Sequence, residues 1–238
     1  VGPDWASAGW EELTPRVGRV RLPGWDCTTG LVVGSRAALL IDTGSSLREG
    51  ARLRADARAL GANVAHIALT HPHFDHVFGT AAFPAATVYG AAGVEQVFAT
   101  GADELRADAV RYGLDPDDAA EAAETLVTPT ESVLGSRTVD LGGIAVRLTN
   151  VGPGHTAQSL AVLVPGTPAI VFCGDLVEES DEPQAGPDAV PRQWPAALDR
   201  LLELGGAHAR YVPGHGAVVD AAFVRAQRTT LATRFGVP

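Results

Sequence analysis

Lysine is absent from this chain of 238 residues, and all 18 of its basic residues are arginine. Every mechanism that relies on a lysine amine, as Schiff base, general base or anion clamp, is therefore excluded. Cysteine is nearly absent, with only Cys27 and Cys173. Two thiols cannot form a disulfide framework or a four-cysteine zinc site. Cys173 ends the apolar run Ala169-Ile-Val-Phe-Cys173, where a thiol behaves as a small hydrophobe, and both cysteines are read as structural. No apolar run approaches the roughly 20 residues that a membrane helix needs. Val1 to Trp10 carries neither a basic patch nor a hydrophobic stretch, so no signal peptide is expected. Together with the scarcity of cysteine, this points to a cytoplasmic protein. Positive charge is also short, with 28 acidic against 18 basic residues and a net charge of −10. Nucleic acid and anionic membrane surfaces both demand a basic footprint, and neither is an expected partner.

What is present suits a packed core: 46% of residues are hydrophobic and 19% charged, which excludes wholesale disorder. Nothing resembles an inter-domain linker or a repeat, so residues 1–238 are read as one domain. Strands are expected over Arg16–Leu22, Gly30–Val33, Ala37–Ile41, Asn63–Thr70 and Thr87–Tyr89, with a hairpin at Gly34-Ser35 and a helix over Leu47–Leu60. The alternation argues for an α/β architecture. Residues 91–131 form an acidic, alanine-rich insert with no strand signal. Helices are expected there at Val94–Phe98, Asp103–Tyr112 and Pro116–Leu126, the last opened by an Asp115 N-cap and Pro116 at the first helical position. Strands resume at Arg137–Asp140, Ile144–Leu148, Leu160–Val164, Ala169–Phe172 and Arg210–Val212, and helices at Trp194–Leu204 and Asp220–Phe235. Ser180–Arg192, acidic and rich in proline, reads as a surface loop.

The chemistry concentrates in a few loops. Of seven histidines, three fall in His71-Pro-His73-Phe-Asp75-His76, directly after the buried strand. Loops at the carboxyl ends of strands are where open α/β sheets build their sites. Imidazole nitrogens and carboxylate oxygens are ligands that zinc and similar borderline metals prefer. Three further candidates adjoin strands and glycines, which allow tight turns and close backbone approach. They are His155 in Gly152-Pro-Gly-His-Thr156, Asp175 in Phe172-Cys-Gly-Asp175, and His215 in Pro213-Gly-His-Gly216. The set leaves only His66 and His208 without a ligand role, and both are read as structural or surface groups.

This ordered set, with Asp42 in Leu39-Leu-Ile-Asp42-Thr-Gly44 upstream, resembles the metallo-β-lactamase superfamily from about Gly30 to Asp220. The resemblance implies a four-layer αββα sandwich with a dinuclear centre at one edge. It implies that His71, His73 and His155 hold a first metal and that Asp75, His76 and His215 hold a second. Asp175 would bridge the two, and Asp42 would order the ligand loop through hydrogen bonds. The implied cofactors are two Zn ions, with Fe or Mn as other candidates. Asp75 would be the catalytic group, orienting a metal-bridging hydroxide and passing on its proton.

Within that family the bridging Asp175 is a feature of thioesterases, lactonases and related hydrolases more than of true β-lactamases. The glyoxalase II branch carries a further helical domain and uses lysine, and neither is found here, since the sequence runs only to Pro238 after His215. The expected partner is therefore a small ester, lactone or thioester, in a pocket shaped by the 91–131 insert and the Ser180–Arg192 loop, with Trp25 at its rim or in the core. The alternatives are a β-lactam hydrolase and an oxidoreductase like the persulfide dioxygenases, with one Fe held by two histidines and one aspartate. No sequence feature specifies an oligomeric state.

Overall fold

Short, strongly apolar strands in the first half of the chain pair into a seven-stranded sheet in the order β1-β2-β3-β4-β5-β6-β7. The structure, a computed structural model, describes residues 2–238. The strands are β1 (Glu11–Thr14), β2 (Val17–Arg21), β3 (Thr28–Val33), β4 (Ala38–Ile41), β5 (Val64–Ala68), β6 (Thr87–Ala91) and β7 (Glu131–Val133). β1 to β4 run antiparallel, with Val33 facing Ala38 across the expected hairpin. β4 to β7 run parallel, and parallel neighbours need crossovers. Helix α1 (Leu47–Ala59) links β4 to β5, the one-turn α2 (Phe74–Val77) follows β5, and α3 (Val94–Arg111) and α4 (Pro116–Glu124) link β6 to β7. The ends of α1 and α4 follow from their caps: Ser46 accepts from the Glu49 amide, and Asp115 accepts from the Asp117 and Asp118 amides ahead of Pro116.

The second sheet is β12-β11-β10-β9-β8, from β8 (Ser136–Asp140), β9 (Ala145–Asn150), β10 (Leu160–Val164), β11 (Ile170–Glu178) and β12 (Arg210–His215). Only β11 and β12 are parallel, and α5 (Trp194–Gly205) makes their crossover before α6 (Ala221–Phe235) closes the chain. Alternation along these strands fills two separate cores, as the period of two requires. Leu160, Val162, Ile170, Phe172 and Val212 join the residues of the first sheet in one cluster. The intervening Ala161, Val171, Cys173 and Tyr211 pack with Trp194, Leu198 and Leu201 of α5 in the other. Both faces of β10 and β11 are therefore buried, and the architecture is the expected four-layer αββα sandwich.

Four local expectations need correction. Val94–Phe98 and Asp103–Tyr112 are one helix, α3, which runs through Gly101 because Val94, Phe98, Leu105 and Ala109 bury a common face; tertiary packing outweighs a glycine's intrinsic cost of about 1 kcal/mol. The edge strands β1 and β7 were not legible, being short and half exposed. β11 reaches Glu178 rather than stopping near Phe172, and β12 reaches His215, because the two strands extend each other by parallel pairing. The ligand-rich segment after β5 is not all loop, since Phe74–Val77 makes a helical turn.

Candidate metal centre

The seven residues singled out in the sequence lie together at one edge of the sandwich. His71 and His73 follow β5, Asp75 and His76 sit on α2, His155 lies between β9 and β10, Asp175 is in β11 and His215 ends β12. Two glycines make the assembly possible. A Cβ at Gly214 would collide with Asp175 Oδ1, and Gly174, at a positive φ of 55°, leaves room for Thr70 and His71. Asp42, directly after β4, also takes a positive φ of 60°, a region that aspartate tolerates better than most residues. Its carboxylate accepts from the Thr70 amide at 2.8 Å, the Thr70 hydroxyl at 2.7 Å and His76 Nδ1 at 2.7 Å. The Thr43 amide and hydroxyl hold the His76 carbonyl at 2.8 and 3.1 Å. The strand-end turn thus clamps the ligand segment.

Each cluster histidine has its outer nitrogen occupied. His76 Nδ1 donates to Asp42, and His71 Nδ1 donates at 3.0 Å to the Thr70 hydroxyl, which itself donates to Asp42. His73 Nε2 donates to Asp188 Oδ2 at 2.9 Å. His155 Nδ1 donates to the Gln184 carbonyl at 2.9 Å and His215 Nδ1 to the Trp25 carbonyl at 2.6 Å. A carbonyl can only accept, so Gln184 and Trp25 keep a proton on the outer nitrogens of His155 and His215 and turn the other ring nitrogen inward. Such outer partners are the usual complement of histidine metal ligands.

The inward atoms converge. His73 Nδ1 and His155 Nε2 lie 3.1 Å apart, two lone pairs face to face, which calls for a shared proton or cation between them. Asp175 Oδ2 is 3.7 Å from His71 Nε2, 3.5 Å from His155 Nε2 and 3.2 Å from His215 Nε2, and Oδ1 is 3.2 Å from His76 Nε2. Asp75 Oδ2 is 3.5 Å from His76 Nε2 and 3.4 Å from His215 Nε2. Bonds of about 2.0–2.1 Å in tetrahedral geometry put ligand atoms roughly 3.3 Å apart, so the spacing fits zinc-sized ions. The buried His71 Nε2 and Asp175 Oδ1 have no hydrogen-bond partner, a cost that a cation would remove. Three overlapping groups result: His71, His73, His155 and Asp175; His76, Asp175 and His215, with Asp75 beside them; and Cys27, Asp75 and His76.

The first two groups differ electrostatically, although His73 in the first is raised, because Asp188 outweighs the burial that opposes its charge. Burial drives His71 well below the usual histidine range, reinforced by charge on His76, and burial takes His155 down to about 4. Burial also opposes charge on His76 and His215, but it is outweighed. Asp75, Asp175 and Asp42 raise His76 well above the usual value, and Asp175 and Asp75 raise His215. Asp175 is itself held well below the carboxylate range, since the charges on His215 and His76 overcome its desolvation.

A cleft of about 390 Å³ opens onto Asp75, Asp175, His73, His155 and His215. Trp25, Phe74, Leu105 and Tyr112 line its apolar wall, with Trp25 edge-on to Phe74 at 5.3 Å and Tyr112 stacked on Phe74 at 6.2 Å. The insert supplies Leu105 and Tyr112, and the 180–188 loop supplies Asp181, Gln184 and Asp188, so both expected segments do shape it. His66 hydrogen-bonds Tyr89 away from the site.

Sequence reasoning missed two neighbours. Asp188 looks no different in sequence from other acids of its loop. Cys27, read as purely structural, is buried with its Sγ 3.6 and 3.8 Å from the two nitrogens of His76. Nearly equal distances to both nitrogens put the sulfur beside the ring rather than along the Nε2 lone pair. Burial pushes its thiol up to about 12, so it packs as an inert thiol in the protein as described.

Among the described residues no helix is long and apolar enough to cross a membrane. No curated protein matches the sequence. Similar folds occur in crystal structures of the DIM-1 metallo-β-lactamase exposed to ceftazidime (20% identity, 94% of this chain and 96% of that one, TM-score 0.71) and of FIM-1 from Pseudomonas aeruginosa in its mono-zinc form (19%, 96% and 96%, 0.71). A metallo-β-lactamase from Pontibacter korlensis is likewise similar (23%, 93% and 97%, 0.70). At these identities the likeness establishes the fold. The family model of the metallo-β-lactamase superfamily matches residues 22–215, from the end of β2 through the last histidine of the cluster, and on this match the chain belongs to that superfamily of metal-dependent hydrolases.

Proposed function

We propose that the protein hydrolyses a small, uncharged ester, lactone or thioester at a centre of two zinc ions held by His71, His73 and His155 on one side, Asp75, His76 and His215 on the other, and Asp175 between them. The observation that carries this reading is the position of Asp175, whose Oδ2 faces His71, His155 and His215 while Oδ1 faces His76. One carboxylate spanning both groups suits a paired centre better than a single ion. When bound, divalent ions supply a Lewis acid for the carbonyl and lower the pKa of water from 15.7 to about 7.

The chain's own residues do the rest. Asp75 lines the cleft beside His215 and His76, where it can take a proton from the attacking water and return it to the leaving group. Trp25, Phe74, Leu105 and Tyr112 offer an apolar wall to an acyl or ring substituent and exclude water. Outside the metal cluster and Asp188, the ionisable groups lining the cleft are Asp108, Glu178, Asp181 and Arg111, and Arg111 is already paired with Asp108 at 2.7 Å. An anionic substrate finds no free cation there, which disfavours the carboxylate of a typical β-lactam. The free thiols of Cys27 and Cys173 are in keeping with a reducing, cytoplasmic setting.

The relatives in the fold comparison support β-lactam hydrolysis as a second reading. A screen on zinc-loaded protein separates the two, with metal content measured in parallel. Turnover of a lactone or small thioester is expected, with kcat/KM for common β-lactams lower by about 10²-fold, roughly 2.7 kcal/mol in transition-state binding. A penicillin or carbapenem hydrolysed better than every ester, lactone and thioester would reverse the order. One firmly held iron and no zinc would end the hydrolase proposal.

A further inference from the structure

We infer that the 181–189 loop is part of the first metal site: Asp188 and the Gln184 carbonyl hold His73 and His155 in their ligand orientation, so metal affinity on that side and order in the loop rise and fall together. The inference rests on the metal assignment proposed above. Residues 181–189 leave the fold after β11 and are mostly exposed. Among the described residues, three hydrogen bonds tie them to the rest of the protein. Asp188 Oδ2 accepts from His73 Nε2 at 2.9 Å, the Gln184 carbonyl accepts from His155 Nδ1 at 2.9 Å, and the Pro183 carbonyl accepts from Arg234 at 2.9 Å. Two of the three anchors are therefore the outer nitrogens of cluster histidines. Val190 adds a bond from its amide to the Gly154 carbonyl, next to His155.

The other outer nitrogens are held by the body of the fold. His71 and His76 are tied to the buried Thr70 and Asp42, and His215 to the Trp25 carbonyl. Only His73 and His155 depend on the loop, and their inner nitrogens face each other at 3.1 Å, the closest approach of ligand atoms in the cluster. If the loop moves away, both rings lose the acceptor that fixes their tautomer and rotation. Coupling between two binding events is reciprocal, so a metal that needs the loop must also order it. The same loop contributes Asp181, Gln184 and Asp188 to the cleft wall, beside His73 and His155.

The test compares wild type, Asp188→Ala, Asp188→Asn and, as a control in the same loop with no contact to a histidine, Glu182→Ala. Zinc is titrated into each metal-free protein against a chromophoric chelator, and hydrogen exchange of residues 181–189 is followed by mass spectrometry with and without zinc. A His215→Ala background reports the first site alone. Outer partners of ligand histidines are worth about 10–100-fold in affinity. Asp188→Ala is expected to weaken zinc binding in the His215→Ala background by that factor. Asp188→Asn, which keeps an oxygen acceptor, should recover part of the loss, and Glu182→Ala should change nothing. Zinc should slow exchange across the loop in wild type and fail to do so in Asp188→Ala. Wild-type affinity in Asp188→Ala, or loop exchange indifferent to zinc in a wild type that binds it, overturns the inference and leaves the metal assignment standing. A wild type that binds no divalent metal removes both.

Discussion

His71 and His155 on one side of Asp175, and His76 and His215 on the other, are the same residue type within a few ångströms, yet the protein drives their protonation in opposite directions. The first pair is buried among other imidazoles and is held neutral. The second pair is also desolvated but faces Asp75, Asp175 and, for His76, Asp42, and is held charged. Carboxylate placement, not burial, decides the difference. The consequence for metal binding is direct. An ion entering beside His71 and His155 meets free lone pairs, whereas one entering beside His76 and His215 must first displace protons.

The largest expected effect comes from abolishing the divider. Asp175→Asn keeps the shape but leaves the charged His215 without its main counter-charge and His76 with Asp42 and Asp75 alone. Removing one partner of a buried pair costs about 3–5 kcal/mol, so chemical denaturation of the metal-free protein should show a loss of that order. Elemental analysis should return fewer than two metals per chain, and unchanged stoichiometry would show that Asp175 does not serve both sides. Next in size is Asp75→Ala, expected to lower kcat by about 10²-fold or more, the usual scale for acid–base roles, while circular dichroism stays that of the wild type. Full activity in that variant would assign the proton transfer elsewhere.

Asp42→Asn sharpens the comparison from the outer shell. Asp42 accepts from both His76 and Thr70, and through Thr70 it orients His71. Its loss should weaken metal affinity on both sides by about 10–100-fold, measurable by chelator competition. A loss confined to one side would show that the Thr70 relay to His71 carries little.

The smallest and most diagnostic effect is in pH. His215 is raised above the ordinary histidine value of 6.5 in the metal-free fold. Its charge therefore stabilises that fold fully below pH 6.5, and the contribution is lost as pH rises through the raised value. Metal binding runs the other way. Below the raised value, apparent affinity beside His215 should fall by up to about tenfold per pH unit of acidification. On the first side His155 does not compete with metal until pH approaches about 4, and only His73, raised by Asp188, holds a proton that metal must displace, against two on the other side. Acidification of the two-metal protein should then release one ion well before the other, and simultaneous release would remove the asymmetry.

Local sequence determined a good deal of this protein. The strands that carry the clustered residues, the hairpin at Gly34-Ser35 and the Asp115-Pro116 helix start could be read from periodicity, caps and turn chemistry, and the seven candidate residues from their chemistry at strand ends, with the family resemblance implying their roles. Those signals act within a few residues and need no partner. The tertiary structure decided whatever depends on a distant partner. β11 carries Asp175 as a strand residue only because β12 pairs alongside it, and Gly101 stays helical only because α3 has a face to bury. β1 and β7 exist only as edges of a sheet. Cys27 meets His76 across 49 positions of sequence and Asp188 meets His73 across 115. No local propensity marks either contact, because the energy that selects it comes from chain segments brought together by folding.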